Sequence, residues 1–215
     1  MLNRLIIAVA LLVGSQAILA QDTYQDGVHY YKIDQPPGQV ASGEVVLTEV
    51  FSYLCSHCNT FDPYMHAWEK KKPAYVKLTR MPVVFGRKPW ELMARGYTTA
   101  EVMGIANESH VAMMDSIWKE RKTYRNVEAL ADFYSGFGVT KEDFIATYNS
   151  FAVDSMIRKT QRDVGLYGVS GTPTLIVNGK YRIQGNKDVP GYDSMIAVAN
   201  YLIEKEHAAG AVAAE

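Results

Sequence analysis

Five short apolar segments and several longer segments of helical periodicity follow one another along the chain, in the order β, β, α, β, a block of helices, β, β, α. The apolar segments predict strands, because β-branched residues and period-two alternation favour an extended chain. The second segment, VVLTEVF, has the composition of a buried central strand, and Glu49 is its only carboxylate. Asn178-Gly179 is a typical two-residue hairpin turn between the last two segments. We place the strands at residues 28–33, 45–51, 75–82, 174–177 and 181–184.

The segments between the strands predict helices. One helix is expected to begin at Cys55, directly after the second strand, and to end near residue 72, where a run of lysines suits a helix C-terminus. Residues 90–166 are expected to be helical, with Asn126 and Thr140 as capping residues inside that block. A last helix is predicted at residues 192–206.

This order of elements indicates an α/β fold with one mixed sheet flanked by helices and an inserted block of helices. We assign residues 21–85 and 167–206 to the sheet domain, and residues 86–166 to the inserted helical domain and its connecting helix. Residues 207–215 are rich in alanine, so we expect a flexible tail.

The first twenty residues have the layout of a secretory signal peptide. Arg4 precedes an apolar run at 5–13, which is shorter than the roughly 20 residues that span a bilayer. Cleavage after Ala20 leaves a polar mature start and is favoured over cleavage after Ala17. An uncleaved N-terminal anchor is the alternative. Export places the mature chain outside the cytosol, where thiols oxidise.

Composition narrows the function classes. Hydrophobic residues make up 48% and charged residues 21% of the chain, which is ordinary for a globular protein. The formal net charge is −1, so no basic excess indicates nucleic acid as a partner.

Both cysteines lie in one C-x-x-C motif, Cys55 and Cys58. A structural zinc site needs four ligands, and the sequence offers neither a third cysteine nor paired histidines. Covalent haem attachment needs a histidine directly after the second cysteine, where this chain has Asn59. A disulfide across two residues closes too small a loop to constrain the unfolded chain much. We therefore expect no metal and no cofactor beyond a redox-active Cys55–Cys58 disulfide.

The strand-to-helix junction gives the two cysteines different roles. Cys55 lies at the predicted helix N-terminus, where unpaired N–H groups and the helix dipole favour a thiolate and lower its pKa. Cys58 lies one turn inward and is the expected resolving thiol. A protonated His57 would add a positive charge beside the thiolate. Stabilising the reduced thiolate makes the disulfide a stronger oxidant, so an oxidising pair is predicted.

Two stretches, VVLTEVFSYLCSHCNTFDP and VSGTPTLIVNGKY, together resemble the DsbA family of the thioredoxin superfamily, and the likeness extends over essentially the whole mature chain. The resemblance implies a thioredoxin fold with an inserted helical domain and a monomeric periplasmic thiol:disulfide oxidase. Its implied partners are folding exported proteins with free cysteines, and a membrane reoxidase like DsbB.

The resemblance also implies roles for residues outside the C-x-x-C motif. Pro173 is expected to be a cis proline beside the cysteines, with Thr172 facing them and pairing its backbone with a substrate chain. Glu49 is expected beneath the cysteines, where a carboxylate helps to move the proton of Cys58. Apart from the resemblance, alternation along the strand YVKLTRMP puts Arg80 on the face of Val76 and Leu78, so we expect Arg80 to pair with Glu49, with Lys77 as the alternative.

Two departures from the family pattern leave the oxidant strength open. Ser56 stands where C-P-H-C members have proline, and Thr172 stands where many members have valine. A reductase or isomerase, or a non-catalytic chaperone or binding module, therefore remains an alternative. The sequence leaves open whether such an oxidase would be general or dedicated.

Overall fold

The computed structural model describes residues 23–34 and 43–212, with side chains through residue 210. The predicted signal peptide lies outside these residues. The described residues form five strands: β1 Tyr31–Lys32, β2 Val45–Phe51, β3 Val76–Pro82, β4 Thr174–Val177 and β5 Tyr181–Ile183. They also form seven α-helices: α1 Ser56–Glu69, α2 Lys88–Val102, α3 Ala106–Trp118, α4 Val127–Tyr134, α5 Lys141–Tyr148, α6 Phe151–Leu166 and α7 Tyr192–Val212.

The strands form one mixed sheet in the order β1-β5-β4-β2-β3. Strand β2 runs parallel to β3 and antiparallel to β4, so it is central, as its apolar sequence predicts. Strands β4 and β5 form the expected hairpin, with Asn178 and Gly179 both at positive φ. The register places Glu49 of β2 opposite Arg80 of β3.

Two large apolar clusters divide the interior. One joins the sheet to α1 and α7 and includes Leu47, Met65 and Leu202. The other fills the block of helices between β3 and β4 and includes Phe51 and Cys58. The second cysteine of the motif is therefore packed against the inserted helices, which brings that block directly to the redox centre.

Several predicted boundaries are wrong. Strand β1 begins at Tyr31, because the chain turns at Gly27, whose φ is +77°. Helix α1 begins at Ser56 with Cys55 as its N-cap, and it ends at Glu69. The helical block begins at Lys88, two residues earlier than expected.

The C-terminal helix is longer than predicted. Residues 207–212, which we assigned to a flexible tail, continue α7. The buried carboxylate of Glu206 accepts hydrogen bonds from Asn178 at 2.9 Å and from Lys180 at 2.7 Å. The ring of His207 stacks on Tyr75 with centroids 3.7 Å apart. These tertiary contacts hold a helix end whose alanine-rich sequence alone predicts fraying.

Candidate active site

Cys55 lies where the chain leaves the central strand and enters α1. It is the N-cap residue, with extended backbone angles (φ −97°, ψ 117°), and no side chain among the described residues caps this helix end. Its own N–H donates to the Ser52 carbonyl oxygen at 3.1 Å, which closes the turn before the helix. The first amides of α1 are thus left free to stabilise an anion at the cap position.

The thiol of Cys55 is half-buried and free. Its pKa is lowered to about 5, first by a hydrogen bond from the Cys58 thiol. Burial opposes this shift, whereas the Thr172 side chain and the backbone N–H groups of Cys58 and His57 add to it. Cys55 is therefore a thiolate at neutral pH, which is the form that attacks and leaves in disulfide exchange.

Cys58 has the opposite character. It is 0% exposed and belongs to the apolar cluster of the helical block. Its hydrogen bond to Cys55 and its burial raise its pKa far above the ordinary value of a thiol. Cys58 therefore holds its proton at neutral pH, and the two sulfurs are chemically unequal.

The loop before β4 lies at the same end of the sheet as Cys55, because β4 runs antiparallel to β2 and begins beside its end. The Thr172–Pro173 peptide bond is cis, as the resemblance implies. The Cys55 thiol, when protonated, donates to the Thr172 carbonyl oxygen at 3.4 Å. The hydroxyl of Thr174 donates to the Gly171 carbonyl oxygen at 2.8 Å and holds the loop closed. The structure thus brings together the residues that the sequence placed 117 positions apart.

His57 and Ser56 are exposed on the first turn of α1. His57 lowers the pKa of Cys55 through its backbone N–H. The hydroxyl of Tyr192 donates to the His57 carbonyl oxygen at 3.2 Å and lies 3.5 Å from its Nδ1. Sequence reasoning missed Tyr192, because α7 reaches this place only through the fold.

An open cavity of about 360 Å³ adjoins the redox pair. One wall is formed by His57 and Tyr192, and another by the loop that carries the cis proline. Thr172, whose carbonyl oxygen faces Cys55, lines it too, and Met195 adds an adaptable apolar side chain. An extended peptide placed here would pass beside the reactive sulfur.

Glu49 and Arg80 form a shielded ion pair on neighbouring strands. Nε of Arg80 lies 3.2 Å from Oε2 of Glu49, and their side chains are 7% and 0% exposed. Nη2 of Arg80 also lies 3.4 Å from Glu69 at the end of α1. Arg80, and not the exposed Lys77, is therefore the partner of Glu49.

The environment of Glu49 favours a carboxyl that exchanges protons. Burial raises its pKa, although the charge of Arg80 opposes the shift. Its Oε1 accepts no hydrogen bond from any described residue. Within residues 23–34 and 43–212, its ion-pair partner is Arg80, and no hydrogen bond joins it to either cysteine.

The described residues contain neither a cluster of metal ligands nor a helix that could span a membrane. Among them, no three His, Cys, Asp or Glu side chains lie close enough together to hold a metal ion. Over the same part of the chain, no helix is both long and apolar enough to cross a membrane.

Comparison with known proteins places the chain in a family. Residues 46–199 match the model of the DSBA-like thioredoxin domain. The thiol:disulfide interchange protein DsbA of Pseudomonas aeruginosa PAO1 is 38% identical over 203 residues, which cover 94% of each chain. The DsbA of Pseudomonas syringae pv. tomato DC3000 is 34% identical over 99% of this chain and 100% of its own.

Solved structures agree with this assignment. A crystal structure of Pseudomonas aeruginosa DsbA is similar with a TM-score of 0.78 and 39% identity, over 87% of this chain and 97% of that one. The oxidoreductase DsbA from Xylella fastidiosa is similar with a TM-score of 0.79 and 32% identity, over 86% and 98%. The chain therefore belongs to the DsbA family of thioredoxin-fold thiol:disulfide oxidoreductases.

Proposed function

We propose that the chain is a periplasmic oxidase that donates the Cys55–Cys58 disulfide to folding exported proteins. The observation that carries this proposal is the inequality of the two sulfurs. The pKa of Cys55 is lowered to about 5 while that of Cys58 is raised. A stabilised Cys55 thiolate favours the reduced form of the pair, so its disulfide tends to pass to the substrate.

The reaction proceeds by two exchanges. A substrate thiolate attacks Cys55 of the disulfide, a new sulfur–sulfur bond forms, and Cys58 leaves and takes up a proton. A second substrate thiolate then attacks the substrate sulfur of this mixed disulfide, and Cys55 leaves as a thiolate. The substrate loses two electrons and gains a disulfide, and the Cys55–Cys58 pair gains the two electrons.

Glu49 is the proposed proton donor for Cys58 as it leaves. Its raised pKa supports this role, as does its Oε1, which accepts no hydrogen bond from the part of the chain that the structure describes. Because no hydrogen bond joins Glu49 to Cys58 among the described residues, the proton would pass through water. Arg80 would keep the carboxyl in place and limit how far its pKa rises.

The substrate would bind as an extended segment along the cavity beside Thr172 and Pro173. The backbone of Thr172 is available there because Pro173 has no N–H to compete for the same strand pairing. Ser56 would tune the potential from the first turn of α1, since the turn contributes amides to the thiolate.

The proposed location, export route, oligomeric state and reoxidising partner follow from the family. The relatives are thiol:disulfide interchange proteins, and we propose the periplasm as location, an N-terminal signal peptide as the means of export and a monomer as the working form. A membrane protein like DsbB would return the pair to the disulfide state.

Trapping of the mixed disulfide tests this proposal. When its Cys55 thiolate attacks disulfides of exported proteins and displaces one of their thiolates, a Cys58→Ala variant is expected to accumulate disulfide-linked adducts, because the internal thiol that would resolve them is gone. The double variant Cys55→Ala with Cys58→Ala is the control. Adducts are resolved on non-reducing gels after acid quenching and identified by mass spectrometry. Failure of the single variant to form adducts would overturn the proposal and favour a binding module.

Equilibration with glutathione separates oxidase from reductase. The wild-type pair is expected to oxidise glutathione, whereas a potential near that of thioredoxin, roughly −270 mV, would contradict the oxidase proposal.

A further inference from the structure

His110 contacts residues on both sides of the redox motif. Its Nδ1 lies 3.1 Å from the hydroxyl of Tyr53, which is in the turn before Cys55. Its Nε2 lies 3.2 Å from Oδ1 of Asp62, which follows Cys58 by one turn of α1. His110 belongs to α3, so one side chain of the inserted block holds both ends of the segment that carries the cysteines.

These contacts are shielded from water. His110 and Tyr53 are each 1% exposed, and Asp62 is 7% exposed. Nε2 and Oδ1 lie at ion-pair distance, although the N–H is not aligned well enough for a hydrogen bond. Polar groups buried in this way are costly unless they are paired. The side chains of Asp62, His110 and Tyr53 are therefore expected to keep one defined arrangement.

The same helix holds Tyr53 at a second point. The indole N–H of Trp118, at the end of α3, donates to the Tyr53 carbonyl oxygen at 2.9 Å. Around the imidazole, Phe51 packs edge-on with ring centroids 5.0 Å apart, and Tyr97 of α2 packs likewise at 6.1 Å. The imidazole therefore has little freedom to turn away from Tyr53 and Asp62.

Titratable groups from three elements interact with Asp62 or His110. Burial alone would raise the pKa of Asp62, but His110 and then Arg80 of β3 lower it. Glu49 of β2 responds to the charges of both His110 and Asp62. The exposed His66 on α1 also acts on Asp62.

We propose that His110 is a positioning residue that sets the oxidising strength of the Cys55–Cys58 pair by fixing Tyr53 on one side of the motif and Asp62 on the other. The thiolate of Cys55 depends on the N–H groups of the first helical turn and on the Cys58 thiol. Those donors belong to α1. The position of Cys55 itself is set by the turn before the helix, which contains Tyr53 and is closed by the hydrogen bond from the Cys55 N–H to the Ser52 carbonyl oxygen. The relative position of the two pieces decides how well the donors meet the sulfur.

This inference rests on the proposed function, because it assigns a residue to the same redox pair. Its tests nevertheless measure the isolated pair, without a substrate. If the pKa and potential of the variants do not change, the trapping result still stands. If trapping fails, the pKa and the potential can still be measured and compared.

Two variants of the full mature protein test the role of His110. Tyr53→Phe removes the hydroxyl that meets Nδ1 and also interacts with Tyr134, and His110→Leu removes both polar contacts of the imidazole. In each, the pKa of Cys55 is measured from thiolate absorbance and the potential from equilibration with glutathione. We expect the pKa to rise by about half a unit, and the equilibrium constant with glutathione to move about threefold toward a weaker oxidant. His110→Leu should give the larger change.

Two matched controls separate positioning from general destabilisation. Val153→Ala removes packing from a different apolar cluster, which does not contain the cysteines. His66→Gln removes an exposed imidazole that acts on Asp62. Both controls should keep the wild-type pKa of Cys55. If Tyr53→Phe is folded and shows wild-type values for the pKa and the potential, the proposal is overturned, even where His110→Leu does not fold.

Discussion

Arg80 and Glu49 face each other across neighbouring parallel strands and form an ion pair that is almost completely removed from water. Breaking such a pair costs more than its formation contributes, because the remaining charge stays buried. Since Glu49 is also the proposed proton donor, the pair links the stability of the sheet to the chemistry of Cys58.

Replacing Arg80 with Met is expected to destabilise the protein by about 3 kcal/mol at neutral pH. The pKa of Glu49 is already raised by burial, and it should rise further when Arg80 is removed. A carboxyl whose pKa is higher in the folded than in the unfolded state destabilises the folded protein increasingly as pH rises through the folded-state pKa. The loss of unfolding free energy caused by Arg80→Met should therefore be smaller at about pH 5 than at about pH 8, as measured by urea unfolding.

The matched control is Lys77→Met, on the same strand but exposed. It should change stability by less than about 0.5 kcal/mol, and the change should not depend on pH. The alkylation rate of Cys58 supplies a second measurement. If Arg80→Met leaves its pH dependence as in the wild type, Glu49 and Arg80 have no part in moving the proton of Cys58.

The sequence predicted what is encoded locally. The apolar run of β2, the Asn178-Gly179 turn and the junction at Cys55 each carry their own signal, so the mixed sheet and the place of the cysteines were predicted correctly. The partner of Glu49 followed from strand alternation, which puts Arg80 on a definite face.

Contacts between distant segments were not predictable in the same way. Nothing near His110 in sequence indicates that it meets Tyr53, which lies 57 positions away. Tyr192 likewise reaches His57 across 135 positions. The end of α7 was missed for the same reason, because its stability comes from Glu206 and His207 contacting other elements and not from helix propensity.

Titration of the reduced protein should show one thiolate forming at about pH 5, the pKa of Cys55. Because this pKa is depressed on folding, the stability it contributes is greatest above the ordinary thiol pKa of about 8.5 and is lost as pH falls through about 5. Urea unfolding of the reduced wild type and of Cys55→Ala across this range measures the difference. A pH-independent difference would contradict the depressed pKa.

Replacing Asn178 with Ala is expected to destabilise the hairpin and the end of α7 together, by about 2 kcal/mol. Oδ1 of Asn178 accepts from the Val46 N–H at 2.8 Å, and Nδ2 donates to Glu206 at 2.9 Å. Its φ of +51° is also unfavourable for Ala. Lys180→Met is the control, because it removes only the half-exposed ion pair to Glu206 and should cost less than about 1 kcal/mol. Equal losses in urea unfolding would refute this account.

Tyr192 should determine how tightly substrates bind and should have little influence on the cysteines themselves. Its ring forms a wall of the cavity beside Pro173, and aromatic side chains in such positions contribute strongly to peptide binding. Tyr192→Ala is therefore expected to raise KM for a cysteine-containing peptide about fivefold, or about 1 kcal/mol, with kcat nearly unchanged. Tyr64→Ala is the control, since its exposed ring packs on Tyr192 outside that lining. A fall in kcat with constant KM would instead assign Tyr192 to the redox step, through its hydrogen bond to His57.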